Sequence, residues 1–68
     1  MDKRKFEYKR DVFEVNITKV DDPAQALIEH LNELGEEGWE AVQIDNHYYS
    51  YDRTHVYTTI LKRKTYDL

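Results

Sequence analysis

Leu31-Asn32-Glu33-Leu34-Gly35-Glu36-Glu37-Gly38-Trp39-Glu40 reads as the end of a helix, a tight turn at two glycines, and a strand opening on the only tryptophan. Leu31 and Leu34 finish an apolar stripe. Gly35 can take the left-handed conformation that closes a helix, and Gly38 permits the reversal that follows. Trp39 is placed to anchor the next strand to the core. Upstream, Asp21-Asp22-Pro23-Ala24-Gln25 is a helix start. The Asp22 carboxylate can accept from free first-turn amides, and Pro23 suits the first helical position, where no donor is needed. Gln25 stands three residues after Asp22, as in a capping box. Ala24, Leu27, Ile28, Leu31 and Leu34 recur at spacings of three and four, which predicts a helix over about 23–34 with one apolar face.

The flanking segments read as strands. In residues 5–17, Phe6, Tyr8 and Val12 share one parity while Phe13, Val15 and Ile17 share the other. Side chains alternate along a strand, so a switch near Arg10-Asp11-Val12 suggests a bulge or bend, the alternative being one strand with both faces partly covered. Trp39 to Ile44 reads as a second strand. Asp45-Asn46-His47 is turn-prone by residue type, with Asp52-Arg53-Thr54 as the hairpin tip if the strand continues through Tyr48-Tyr49-Ser50-Tyr51. His55 to Arg63, rich in β-branched and large residues, is the clearest strand. Strand, helix, strand, strand predicts an α+β fold: a two-layer β-α-β-β unit with one helix on a three-stranded antiparallel sheet. The last strand is the most apolar, which suits a central position.

Length and composition narrow the rest. Sixty-eight residues make one small domain, 1–68, with an ordered core expected at about 5–64. A core of this size supplies only roughly 3–5 kcal/mol. With no cysteine, neither a disulfide nor a thiolate metal site can reinforce it, so homo-oligomerisation is expected. No apolar run reaches the length of a membrane helix and no signal-peptide core is present, which points to a cytoplasmic protein with no membrane partner.

Phe6-Glu7-Tyr8-Lys9, then Leu31-Asn32-Glu33-Leu34-Gly35-Glu36-Glu37-Gly38-Trp39-Glu40, then Leu61-Lys62-Arg63 resembles the pattern of a family of short bacterial and phage proteins known only as a domain of unknown function. The resemblance spans roughly residues 5–64. It departs at Ala41, where the family tends to carry a larger aliphatic residue, and in the tract Tyr48 to Tyr51. It implies the same small fold and brings no catalytic residue with it.

Catalytic chemistry finds little footing. Ser50 is the only serine and lacks the strained turn of an activated nucleophile. His30 is read as a helix-surface residue, and His47 and His55 as lying in or beside a loop. An imidazole–carboxylate metal site of His47 and His55 with Asp45 or Asp52 has no diagnostic spacing. The pair Asp21-Asp22 is accounted for by capping and the helix dipole. Glu36-Glu37 falls in a solvated turn, and two short layers rarely form the cleft that raises a carboxyl pKa. A non-enzymatic protein without metal or cofactor is expected.

Two candidate surfaces remain. From Val20 to Asp45 there are eight acidic residues and no lysine or arginine, whereas Lys3, Arg4, Lys5, Lys9, Arg10, Lys62, Arg63 and Lys64 hold eight of the ten positive charges. Antiparallel pairing of the first and last strands gathers these near Phe6, Tyr8 and Tyr66. Lys5, Lys9, Lys62, Arg63 and Lys64 are then candidates for binding a nucleotide or nucleic acid. Tyr48, Tyr49, Tyr51 and Tyr57 are the candidate interaction face, because aromatics are enriched in interface cores and one helix can cover only one face of the sheet. A small interaction domain that self-associates and binds a protein partner is the preferred expectation, with the anion-binding module as the alternative. Asp22, Pro23, Gly35, Gly38 and Trp39 carry structural roles.

Overall fold

A computed structural model describes residues 4–66 of the chain. Strand β1 (Arg4–Asn16) is followed by helix α1 (Pro23–Glu36), strand β2 (Glu40–Tyr49) and strand β3 (Thr54–Tyr66). Both strand pairs are antiparallel and β3 lies between β1 and β2. This is the predicted two-layer α+β unit, with its most apolar strand at the centre.

The predicted bulge in the first strand is absent. β1 pairs with β3 without interruption from Arg4↔Tyr66 to Asn16↔Thr54. Its two apolar parities serve two faces. Val15 is buried and Phe13 half-buried toward the helix, while Phe6, Tyr8 and Val12 are exposed on the opposite side. The irregularity lies instead in β2, where the register shifts between Ala41 and Gln43 and leaves Val42 out of the pairing. Asp45-Asn46-His47 is not a turn. These residues pair with Thr58, Tyr57 and Val56 in the middle of the β2–β3 ladder, and that ladder outweighs their local turn preference. The reversal comes at Ser50–Arg53, where Arg53 adopts a left-handed φ of 54°. The end of β1 is tied to this turn: the Ile17 amide donates to the Arg53 carbonyl at 2.9 Å and Asn16 Nδ2 to the Asp52 carbonyl at 3.2 Å.

Helix α1 starts as the sequence requires, with Pro23 at its first position and Asp22 Oδ1 accepting from the Gln25 amide at 3.1 Å. Its end differs. Gly35 is helical, and Gly38 is the glycine in left-handed conformation, at φ 90°. The Trp39 amide donates to the Leu34 carbonyl at 3.2 Å and the Gly38 amide to the Gly35 carbonyl at 2.9 Å. These are the two reverse bonds of a Schellman cap. Glu37 is the C-cap residue, so Gly38 occupies the position where a left-handed residue closes the helix.

The covered stripe of α1 is also turned from the predicted one. Leu27 is buried, Pro23, Ala26, His30, Leu31 and Leu34 are half-buried, and Ala24 and Ile28 are exposed. At 100° per residue this is a roll of roughly 60°, and it makes His30 an inward residue. Its Nε2 lies 2.7 Å from Asp11 Oδ2, and its ring stacks on Phe13 with centroids 4.3 Å apart. Val15, Leu27 and Tyr57 form the core, with Phe13, Val20, Ala26 and Leu31 packed against them. Leu61 and Thr59 are also buried. The whole is long and thin, 53 × 18 × 12 Å.

Two stability measurements test this account. Gly38→Ala should lower the urea-unfolding free energy by about 1–2 kcal/mol, because an L residue there is forced left-handed. Gly35→Ala should leave stability unchanged or raise it by up to ~1 kcal/mol, since a Cβ at that helical position meets nothing within 4 Å and alanine favours the helix. Equal losses at the two glycines would contradict the cap. Thr59 is fully buried and its Oγ1 lacks a hydrogen-bond partner. Replacing it by the isosteric valine removes an unpaired polar atom, so Thr59→Val should stabilise by about 1 kcal/mol, read as a higher denaturant midpoint with an unchanged slope.

Candidate interaction face

Strand register assigns each side chain to a face. Toward the helix lie Glu7, Lys9, Asp11, Phe13 and Val15 of β1, opposite Arg63, Leu61, Thr59, Tyr57 and His55 of β3. The other face carries Phe6, Tyr8, Arg10, Val12 and Glu14 of β1, opposite Lys64, Lys62, Ile60, Thr58 and Val56. Glu40, Gln43, Asp45, His47 and Tyr49 of β2 complete it. No element of the described chain covers this second face. Tyr8 is 63% and Val12 52% exposed, with Val56 and Ile60 half-buried between the flanking strands.

The four tyrosines of the predicted interaction face are divided. Tyr57 is in the core at 7% exposure. Tyr48 is on the same side, its ring 4.7 Å from that of His55, which in turn stacks on Tyr57. Tyr49 is on the open face, where its ring meets His47 at 4.3 Å and Tyr51 of the turn at 5.7 Å. His47 and His55 belong to strands rather than loops. They stand on opposite faces, so they cannot share a metal ion. Among the described residues no group of three or more metal-ligating side chains converges.

The basic residues gather at one end of the sheet but also split between faces. Lys9 and Arg63 are on the helix side beyond the end of α1. Both reach the Trp39 ring, Lys9 Nζ lying 4.6 Å and Arg63 Cζ 4.5 Å from its centroid. Arg63 also donates from Nε to the Glu7 carboxylate and from Nη1 to the Glu37 carbonyl at 3.3 Å. Trp39 therefore stands apart from the Val15–Leu27–Tyr57 cluster and is fixed by cation–π contacts. Lys62 and Lys64 are on the open side, Lys62 Nζ lying 4.7 Å over the Phe6 ring. Lys5 takes the helix-side parity, opposite Thr65. Lys3 and the side chains of Arg4 and Tyr66 lie outside the described residues. Lys62, Arg63 and Lys64 line a shallow cavity of about 330 Å³ together with Phe6, Glu37 and Glu40. Two carboxylates thus share the walls with three cations.

Sequence reasoning counted Arg10 only among the basic charges and passed over Glu14. They share the parity of Phe6, Tyr8 and Val12, a signal visible in the alternation but obscured by the expected bulge. Neither has an ion-pair partner among the described residues.

Among the described residues no helix is long and apolar enough to cross a membrane. No family model, curated protein or solved structure matches the chain.

The Asp11–His30 contact is a polar bridge between β1 and the helix, with both side chains mostly shielded. A double-mutant cycle with Asp11→Ala and His30→Ala should return a coupling of about 0.5–2 kcal/mol in unfolding free energy. Additive losses would show that the stacking of His30 on Phe13, rather than the bridge, positions the helix.

Proposed function

We propose that this chain is a small non-enzymatic interaction domain that self-associates through the open face of its sheet. The observation that supports this reading is the exposed stripe of Phe6, Tyr8 and Val12 beside Ile60 and Val56, on a face that no helix covers. Contiguous apolar surface of this kind marks an interaction site. The net charge of −4 opposes long-range approach of two copies, so association must come from short-range burial. The helix side keeps further exposed apolar residues, Ile28 on α1 and Ile44 and Tyr48 on β2, and in this reading that side is left for a different protein partner. The resemblance to short bacterial and phage proteins fits a role of this kind and adds no partner to it.

Binding of a nucleotide or nucleic acid at the basic strand ends draws less support. Arg63 and Lys9 are engaged with Trp39, Arg63 is also held by Glu7, and Glu37 and Glu40 place negative charge in the cavity beside the lysines.

Sedimentation equilibrium provides the test. The wild-type chain should show a dimer fraction that grows across the micromolar range and dominates at high micromolar concentration. Val12→Asp should weaken the dimer by about tenfold or more while leaving the circular dichroism spectrum unchanged, because the side chain is exposed in the monomer and a buried unpaired carboxylate is costly. A wild-type chain that stays monomeric at high micromolar concentration overturns the proposal.

A further inference from the structure

We infer that the partner on the open face is a second copy of this chain, docked face to face and antiparallel. Its two-fold axis runs across the strands at the level of Val12, and Arg10 of each copy pairs with the partner's Glu14. This rests on the self-association proposed above and specifies its geometry.

The pattern on β1 carries this geometry. Arg10, Val12 and Glu14 point to the same face, opposite Ile60, Thr58 and Val56 of β3. Opposite charges flank the valine at equal distances of ~7 Å along the strand, and neither charge is ion-paired among the described residues. A two-fold axis across the strands at Val12 reverses strand direction and keeps each strand over its own copy. Arg10 then falls over the partner's Glu14, and Glu14 over the partner's Arg10. On β3 the same operation lays Ile60 over the partner's Val56, and Val12 meets the partner's Val12. One operation therefore satisfies both unpaired charges and buries Val12, Ile60 and Val56 against apolar counterparts, as an isologous interface requires, while Tyr8 falls over the partner's Asn16 and Phe6 beyond the end of the partner's β1.

The competing face-to-face arrangement has its axis along the strands. It keeps β3 over β3 in the same direction, so Lys62 would face the partner's Lys62 and Lys64 the partner's Lys64. It would also leave Arg10 over the partner's Gln43, without a counter-charge. Like charges placed together across an interface act against it. The antiparallel arrangement carries one like-charged contact, Asp45 over the partner's Asp45. It falls on the outer strand β2, where Asp45 is exposed and its Oδ2 accepts from Gln43 Nε2 at 3.3 Å.

The contact is modest in area. Reversal about Val12 overlaps residues 8–16 of β1 and 54–62 of β3 with their counterparts, which at ~3.3 Å per residue and three strands abreast at ~4.8 Å gives roughly 430 Å² per copy. Two such faces remove on the order of 860 Å², the size of a weak, transient interface rather than of an obligate one. Aligned sheet-on-sheet packing keeps the strand directions within about 30°, which preserves these contacts along β1 and β3.

Charge exchange tests the geometry. By sedimentation equilibrium, Arg10→Glu and Glu14→Arg should each weaken self-association by about tenfold, and the double variant should restore it to near the wild-type level. An equimolar mixture of the two single variants should form a heterodimer although each alone is mostly monomeric, since every cross-contact is then again a pair of opposite charges. Net charge alone gives a different result: Glu14→Arg makes the chain less negative and would strengthen association. Melting temperatures of the variants, measured alongside, should stay within a few degrees of wild type, because both positions are exposed. A wild-type dimer indifferent to these substitutions, or one strengthened by Glu14→Arg, overturns the antiparallel geometry while leaving self-association in place. A wild-type monomer overturns both.

Discussion

The rest of this structure depends on a mismatch of length. A 14-residue helix rises ~21 Å, whereas strands of 13 residues extend ~43 Å. One helix can therefore cover about half of one side of the sheet, and among the described residues no further element covers more. The apolar core forms only under the helix, at Val15, Leu27 and Tyr57. Every residue of β2 stays exposed, and the opposite face is left without a layer.

Where the helix ends, long polar side chains take over its role. Lys9 and Arg63 lie against the Trp39 ring on the helix side, and Glu7 pairs with Arg63. Their hydrocarbon stems cover the sheet while their charged heads meet the indole face, the carboxylate and the solvent. This substitution explains why the basic residues, close together in the fold, do not act as one patch. Alternation along β3 sends Arg63 to the helix side and Lys62 and Lys64 to the other. Charge clustering in sequence identified the right end of the sheet but not the division between its faces.

The element order, the Asp22–Pro23 start of the helix and the central place of β3 were legible because each rests on local chemistry or on total apolar content. The features that were not legible depend on tertiary geometry. Gly35 and Gly38 are both able to end a helix, and the choice follows from which glycine lets the next amide reach back to Leu34. The helix roll is decided by Asp11 and Phe13, distant in sequence, which draw His30 inward. Asp45-Asn46-His47 became strand because β3 supplies partners that a local reading cannot weigh. The tyrosine tract looked like one surface because its members are neighbours in sequence. Period-two alternation instead sends Tyr48 and Tyr49 to opposite faces, with Tyr57 in the core.

A sheet with a bare face and two outer strands also faces the problem of stopping. Pairing through the free edge of β1 or β2 can propagate from copy to copy, and extended edges of this kind favour aggregation. A two-fold, face-to-face contact is different in kind, because it consumes the same surface on both partners and closes. The arrangement of Arg10, Val12 and Glu14 matches that requirement: the charges are self-complementary only when the second copy is reversed, so the sliding and parallel alternatives leave charges unpaired or opposed. Asp21, Asp22, Glu29, Glu33 and Glu36, on α1 and just before it, are exposed on the helix layer, and in the proposed dimer they would keep pairs apart without weakening the contact within each pair. Under the proposed pairing, the uneven charge map and the incomplete helical cover would be two aspects of one design: a small core completed by pairing once.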